Sequence, residues 1–196
     1  MVDLGPGHLS GLTETAEAWE AAWAPYDAAT YQAALAFLRP EDVVLDIGAG
    51  DLRFARQAAQ CCRRVIAIER RLNLLRGQTD LPANVWRVCA DAWRLRWPPE
   101  ATVGVLLMRH CRRYRQLTAG LRSAGVRRLI TNARWGMGVE MVDLDAPRRP
   151  YDSAAGRWYA CDCGAVGFAP APAEGIDQAA LAEVMEVRDC PRCGPH

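Results

Sequence analysis

Val43-Val-Leu-Asp46-Ile-Gly48-Ala-Gly50-Asp51-Leu-Arg53-Phe54 is the stretch whose reading decides the fold. Val43 to Ile47 is apolar at every position except Asp46, the pattern of a strand buried on both faces. Gly48 and Gly50 follow at once and mark a tight turn in which backbone can approach a ligand that a side chain would block. Leu52 to Gln60 then reads as a helix. Strand, glycine turn and helix together are the opening unit of a parallel α/β sheet.

The same alternation continues downstream. Arg64 to Ile68 is a second strand closed by Glu69, and Arg71 to Arg76 a short helix stopped at Gly77. Val85 to Cys89 is a third strand closed by Asp91. A Pro-Pro loop leads to a fourth strand over Thr102 to Met108. Arg113 to Ala124 reads as a helix, Val126 to Thr131 as a fifth strand and Val139 to Leu144 as a further strand. The expected fold is a doubly wound, mostly parallel sheet with helices on both faces. Upstream, Thr13 to Leu38 reads as an acidic helical lead, with Thr13 as its cap and Pro25 as a break or a second start. Trp19, Trp23, Tyr26 and Tyr31 are its aromatics; Tyr26 and Tyr31 read either as lying over a ligand or, the commoner fate of such side chains, as core packing. Ala146 to Ala155 reads as a loop.

Three acids end successive strands, and they carry the chemistry. Taken singly, Asp46 reads as a satisfied structural acid, Glu69 as an ion pair with the arginines after it, and Asp91 as a cap. Together with the glycine turn they read as a ligand edge. A dinucleotide fingerprint needs a third glycine where Arg53 stands, so that ligand class is disfavoured. An acid two residues before the first glycine suits an ammonium group better than a pyrophosphate.

Over about Glu41 to Thr131 the chain resembles the class I S-adenosylmethionine-dependent methyltransferases. The resemblance implies that Asp46, Gly48 and Gly50 form the turn under the methionine part of the cofactor. It implies that Glu69 accepts hydrogen bonds from the two ribose hydroxyls, Asp91 accepts from the adenine amino group, and the backbone N–H of Ala92 reaches an adenine ring nitrogen. The chain departs from the family in two places. Leu52 stands where the family turn usually has another glycine. The fourth strand runs into Leu106-Leu107-Met108-Arg109-His110-Cys111, without the Asn/Asp-Pro-Pro-aromatic tetrapeptide of base amino methyltransferases.

Eight cysteines are present, and four of them fall into two tight pairs, Cys161-Asp-Cys163-Gly and Cys190-Pro-Arg-Cys193-Gly. The start of the chain shows no secretory pattern, so a disulfide framework is disfavoured and the pairs read as metal ligands. Four thiolates are the closed tetrahedral set of a structural zinc site. Arg157 to Ala160 and Val166 to Phe168 flank the first pair as a hairpin, and Glu183 to Arg188 runs into the second. Two such arms describe a zinc ribbon. The organisation expected is therefore a helical lead over 1–40, a cofactor-binding methyltransferase-like domain over 41–145 and a small C-terminal zinc-ribbon-like β module over 157–196.

The net charge of +1 conceals a strong asymmetry. Residues 1–50 carry one Arg against eight acids, and residues 151–196 three against seven. The hundred residues between them carry 20 Arg against 8 acids, and the chain has no Lys. Arg112, Arg113, Arg115, Arg127, Arg128 and Arg134 offer phosphate contacts and hence an RNA acceptor; the other reading is that many of them sit on helix faces and pair with the N-terminal acids. No apolar run reaches the ~18 residues of a membrane helix, so a cytoplasmic protein without membrane contact is expected.

Methyl transfer needs an aligned nucleophile and, for some acceptors, a base. His110 is a candidate base after the fourth strand, its other reading being a loop cap. Asn132, with Arg134 and Trp135, ends the fifth strand as a candidate substrate rim. The function expected is a methyltransferase whose acceptor is a small molecule, RNA or protein. The alternative is a non-catalytic zinc-ribbon protein that holds the nucleoside cofactor.

Overall fold

The computed structural model describes residues 26–109, 111–135, 138–170, 175 and 183–194. Residues 13–25 of the helical lead expected over Thr13 to Leu38, with Trp19 and Trp23, and His110 lie outside the described residues. The chain divides into two compact units, Met1–Arg96 with Val103–Val105, and Trp97–Thr102 with Leu106–His196.

In the first unit, helix α1 (Ala28–Leu35) starts at Asp27, whose side chain accepts from the Thr30 N–H at 2.8 Å. This is an ordinary N-cap and satisfies one orphan donor of the first turn. Strand β1 (Val43–Ile47) is buried at every residue, as its apolar run requires. Helix α2 (Arg53–Ala58), β2 (Arg64–Glu69), helix α3 (Leu72–Arg76) and β3 (Val85–Cys89) follow. The pairs β1–β2 and β2–β3 are parallel, as is β1 with β4 (Val103–Leu106). The first of these pairings sets Asp46 opposite Ala67 and Ile47 opposite Ile68.

In the second unit, helix α4 (Tyr114–Ser123) buries Tyr114, Leu117, Thr118 and Leu121, spaced at three and four residues along one face. Strand β5 (Arg128–Thr131) pairs antiparallel with β6 (Glu140–Asp143). The strand order of the main sheet is β3-β2-β1-β4-β5-β6. The expected doubly wound, mostly parallel class is the one observed, with β6 pairing antiparallel to β5 at an edge.

A second sheet has the order β7-β10-β8-β9, formed by β7 (Arg149–Pro150), β8 (Trp158–Cys161), β9 (Val166–Phe168) and β10 (Met185–Arg188). The hairpin expected around Cys161 and Cys163 is present as the antiparallel pair β8–β9. The second arm differs from expectation. Among the described residues β10 is a single strand, parallel to both β8 and β7. Strand β7 falls in the stretch read as a loop because of its prolines. Pro150 lacks an N–H, and an edge strand is where a sheet tolerates that.

Candidate functional site

The turn after β1 is built from three left-handed residues, Gly48 (φ 76°), Gly50 (φ 55°) and Leu52 (φ 67°). Leu52 therefore holds the conformation that the missing glycine would have supplied. A left-handed non-glycine residue costs about 1 kcal/mol. Leu52 is fully buried, and burying a leucine side chain returns about 2 kcal/mol. Packing thus outweighs the backbone strain. The N–H groups of Gly48 and Ala49 both donate to the Ile68 carbonyl, at 2.9 and 3.0 Å, which ties the turn to the end of β2.

Glu69 closes β2 with 4% of its surface exposed. Its Oε2 accepts the Gly50 N–H at 3.0 Å, and its Oε1 accepts the Arg71 backbone N–H at 2.9 Å and Arg71 Nε at 3.3 Å. A carboxylate offers about four acceptor positions, so one remains. To accept two adjacent hydroxyls, Glu69 must release a contact, and the Arg71 side chain is the longest of them.

Asp46 is equally buried, and its Oδ2 has no hydrogen-bond partner among the described residues. Burial, then the charges of Glu69 and Asp51, pushes its carboxyl up to about 7. Asp51 is raised by burial too, although the Arg53 N–H and the Arg56 charge oppose this. Tyr31 of α1 sits beside these acids. Burial, then Asp51 and Asp46, pushes its phenol up to about 12, and its ring packs 6.2 Å from Phe54. A buried carboxylate with an open oxygen, near two more carboxylates, is an environment that favours a cation.

Asp91 follows β3 in a more open setting. Its Oδ1 accepts the Trp93 N–H at 3.0 Å and its Oδ2 lies 3.9 Å from Arg94 Nε. Ala92 beside it is half-buried. The structure thus brings Asp46, Gly48, Gly50 and Glu69 together and adds Asp51 and Tyr31. The sequence signal for Asp51 was its position directly after the glycine turn.

In the second unit, Cys161, Cys163, Cys190 and Cys193 converge, with all four sulfurs within 4.8 Å of one another. Three of the separations, 161–193, 163–190 and 190–193, are 3.7 Å. Four sulfurs held tetrahedrally at ~2.3 Å from one metal ion are about 3.8 Å apart. Burial pushes the Cys161 thiol up to about 12, while N–H groups of Cys163 and Cys190 favour its thiolate. Gly164 and Gly194 close the two turns at φ 86° and 67°. A Cβ on Gly164 would meet Tyr114 Cβ at 3.0 Å, so only glycine lets this turn lie against α4.

Asn132 ends β5 with 2% of its surface exposed, and neither its amide nitrogen nor its oxygen has a partner among the described residues. Arg134, expected at a substrate rim, is instead an interior residue. Its Nε and Nη2 bind Glu140 at 2.7 and 2.6 Å, and Nη1 and Nη2 bind Glu186 at 2.8 and 2.7 Å. Burial opposes the charge on its guanidinium, but the bonds to Glu140 and Glu186 outweigh burial and hold it more firmly protonated than usual. Other members of the basic block are also engaged. Arg115 Nη2 lies 3.5 Å from Cys193 Sγ, and Arg127 Nε lies 3.3 Å from Asp145. Arg134 and Arg115 thus reach the C-terminal Glu186 and Cys193, a pairing that linear sequence does not display, while Arg127 pairs at the surface with Asp145 of the basic block itself.

A scan against protein-family models finds no match, and neither does a search of curated proteins. Among solved structures, the chain is similar to 1,6-didemethyltoxoflavin-N1-methyltransferase from Burkholderia thailandensis, at 20% identity over 63% of this chain and 59% of that one, TM-score 0.49. It is similar to a phosphoethanolamine N-methyltransferase from Haemonchus contortus, at 18% identity over 55% and 26%, TM-score 0.47. A dimethyladenosine transferase from Plasmodium falciparum is similar at 16% identity over 54% and 41%, TM-score 0.45. The chain spans less than two thirds of the length of each. Among the described residues no helix is long and apolar enough to cross a membrane.

Proposed function

We propose that the chain is an S-adenosylmethionine-dependent methyltransferase. The observation that carries this reading is the open, buried Asp46 oxygen at the end of β1, beside a turn whose Gly50 N–H is fixed by Glu69. Such an oxygen is costly to bury unless a ligand supplies its partner. The residues fit the cofactor: Asp46 takes the ammonium group, Glu69 a ribose hydroxyl, and the left-handed turn admits the chain between them. Asp91 and the Ala92 N–H are assigned the adenine edge. When bound, the cofactor supplies a methyl group already activated on sulfur. The protein has only to orient the acceptor, exclude water and take a proton where the acceptor carries one.

On the acceptor side we assign Asn132. A planar amide with both atoms open pairs best with a group that offers a donor and an acceptor side by side. A phosphate, which only accepts, or an ammonium, which only donates, leaves half of it unpaired. His110 is kept as the candidate base. A zinc ion on Cys161, Cys163, Cys190 and Cys193 completes the assignment, on the strength of the sulfur spacing. The engagement of Arg134 between Glu140 and Glu186, and of Arg115 at Cys193, favours a small molecule or a protein side chain over RNA as the acceptor.

Calorimetry with S-adenosylhomocysteine tests the cofactor assignment. Binding by the wild type and its weakening in Glu69→Ala are expected; a wild type that does not bind removes the proposal. Transfer of a labelled methyl group, tried on RNA, protein and metabolite extracts, then identifies the acceptor class. Metal analysis is expected to return about one zinc per chain.

A further inference from the structure

A continuous chain of charges runs from the cysteine knuckle to the end of β5, entirely within the second unit. Asp162 stands between Cys161 and Cys163. Its Oδ1 accepts from Arg122 Nη2 at 3.0 Å and Arg148 Nε at 3.1 Å. Arg148, whose side chain is 7% exposed, also lies 3.5 Å from Glu186. Glu186 binds Arg134 with both oxygens, and Arg134 in turn binds Glu140 with two nitrogens. Glu140 Oε2 accepts the Trp135 indole N–H at 3.2 Å, and the Trp135 ring meets Trp158 of β8 edge-on at 5.9 Å.

The chain of contacts joins three acids (Asp162, Glu186, Glu140) to three arginines (Arg122, Arg148, Arg134), so its charges balance. Each inner member has a partner on either side, so removing one shifts the load onto its neighbours around Arg134 and Arg148, the two buried charges, which the interior does not tolerate unpaired. Displacing Asp162 therefore leaves Arg148 with Glu186 as its carboxylate, beside the Ala146 and Asp143 carbonyls, so that it draws on Glu186, which holds Arg134. Backbone pairing acts in the same direction. Val187, next to Glu186, is in register with Cys161, and its carbonyl accepts the Asp162 N–H at 3.2 Å.

We infer that Glu186 and Asp162 are positioning residues through which metal at the four cysteines fixes the Asn132–Trp135 segment. The module is then a brace for the acceptor end of β5 and not a separate recognition finger. This rests on the metal assignment above, and the test separates the two. Cobalt(II) added to the metal-free full chain reports loading of the cysteines by its thiolate charge-transfer absorption. Hydrogen exchange reports the backbone of residues 128–135 and, as a control, of 43–69.

In the wild type, removing metal is expected to speed exchange over 128–135 by about tenfold and leave 43–69 unchanged. In Glu186→Gln, which still binds cobalt, exchange over 128–135 is expected to be fast with or without metal. Asp162→Asn is the second variant, with the same expectation. A wild type whose 128–135 amides ignore metal removal overturns the brace, as does a Glu186→Gln protein in which metal still protects them. A residue that merely adds stability would leave the metal response intact, so loss of the response is the signature. Failure of cobalt to bind overturns the metal assignment itself and the brace with it, and is recognisable by the missing absorption.

Discussion

The two units bury charge in opposite ways. Around β1 and β2, three carboxylates are gathered: Asp51 pairs with Arg53 at 2.7 Å and Glu69 with Arg71 at 3.3 Å, but Asp46 keeps an open oxygen beside them. Around β5 and β10, the partly exposed acids Glu140, Glu186 and Asp162 each face an arginine, and the buried Arg134 by itself engages two carboxylates. Unbalanced charge raises a pKa and calls for a ligand, whereas balanced charge fixes geometry and leaves nothing to bind. The molecule reads as a binding half and a bracing half.

The largest expected effect breaks the balanced side. Arg134→Ala leaves Glu140 without its arginine and Glu186 with Arg148 alone, and should destabilise the fold by about 3–5 kcal/mol, read by denaturant unfolding. Arg134→Lys should recover only part of this, because an ammonium cannot match two carboxylates bidentately. Full recovery by lysine would mean that charge alone, without the fork geometry, holds the segment.

The unbalanced side gives the next effect, and its sign is specific. The Asp46 carboxyl is raised from the ordinary aspartate value to about 7, so between roughly pH 4 and 7 the folded protein holds a proton that the unfolded chain has lost. Stability conferred by the neutral carboxyl is complete below the unfolded value and falls as pH rises through the folded one, by at most roughly 4 kcal/mol. Asp46→Asn should remove this slope and be the more stable protein at pH 8. Binding of a cationic ligand has the opposite slope, since it requires the ionised carboxylate: S-adenosylhomocysteine affinity should rise with pH up to about 7. Parallel slopes for stability and affinity would contradict the site.

Asn132→Leu sharpens the comparison on its exception, a buried polar group within the bracing half that is not balanced. Removing an unsatisfied amide should raise stability by about 1–3 kcal/mol. A fall instead would show that the amide is already satisfied. The smallest effect concerns the turn. Leu52→Gly and Leu52→Ala both lose packing, but only glycine relieves the positive φ, so the glycine variant should be the more stable by about 1 kcal/mol. Equal stabilities would place no strain at Leu52.

The core strands were legible because burial on both faces writes an unbroken apolar run, as in Val43–Ile47, and a strand followed by glycines has few alternatives. The cysteine pairs were legible because thiols that converge on one point in pairs are closely spaced along the chain. The role of Arg134 was not: its partners are six and 52 residues away, and an arginine at a strand end looks the same whether it faces solvent or two carboxylates. The parallel placement of β10 was hidden for a similar reason, because pairing direction depends on where the chain returns and not on the residues of the strand.

Local chemistry by itself therefore determined the alternating α/β plan, the glycine turn with its acids and the four-cysteine set, since each rests on neighbours close in the chain. Only the tertiary structure decided which charges are matched. Pairing depends on long-range approach and on burial, and burial is what converts an unmatched carboxylate from an ordinary surface acid into the open oxygen of Asp46.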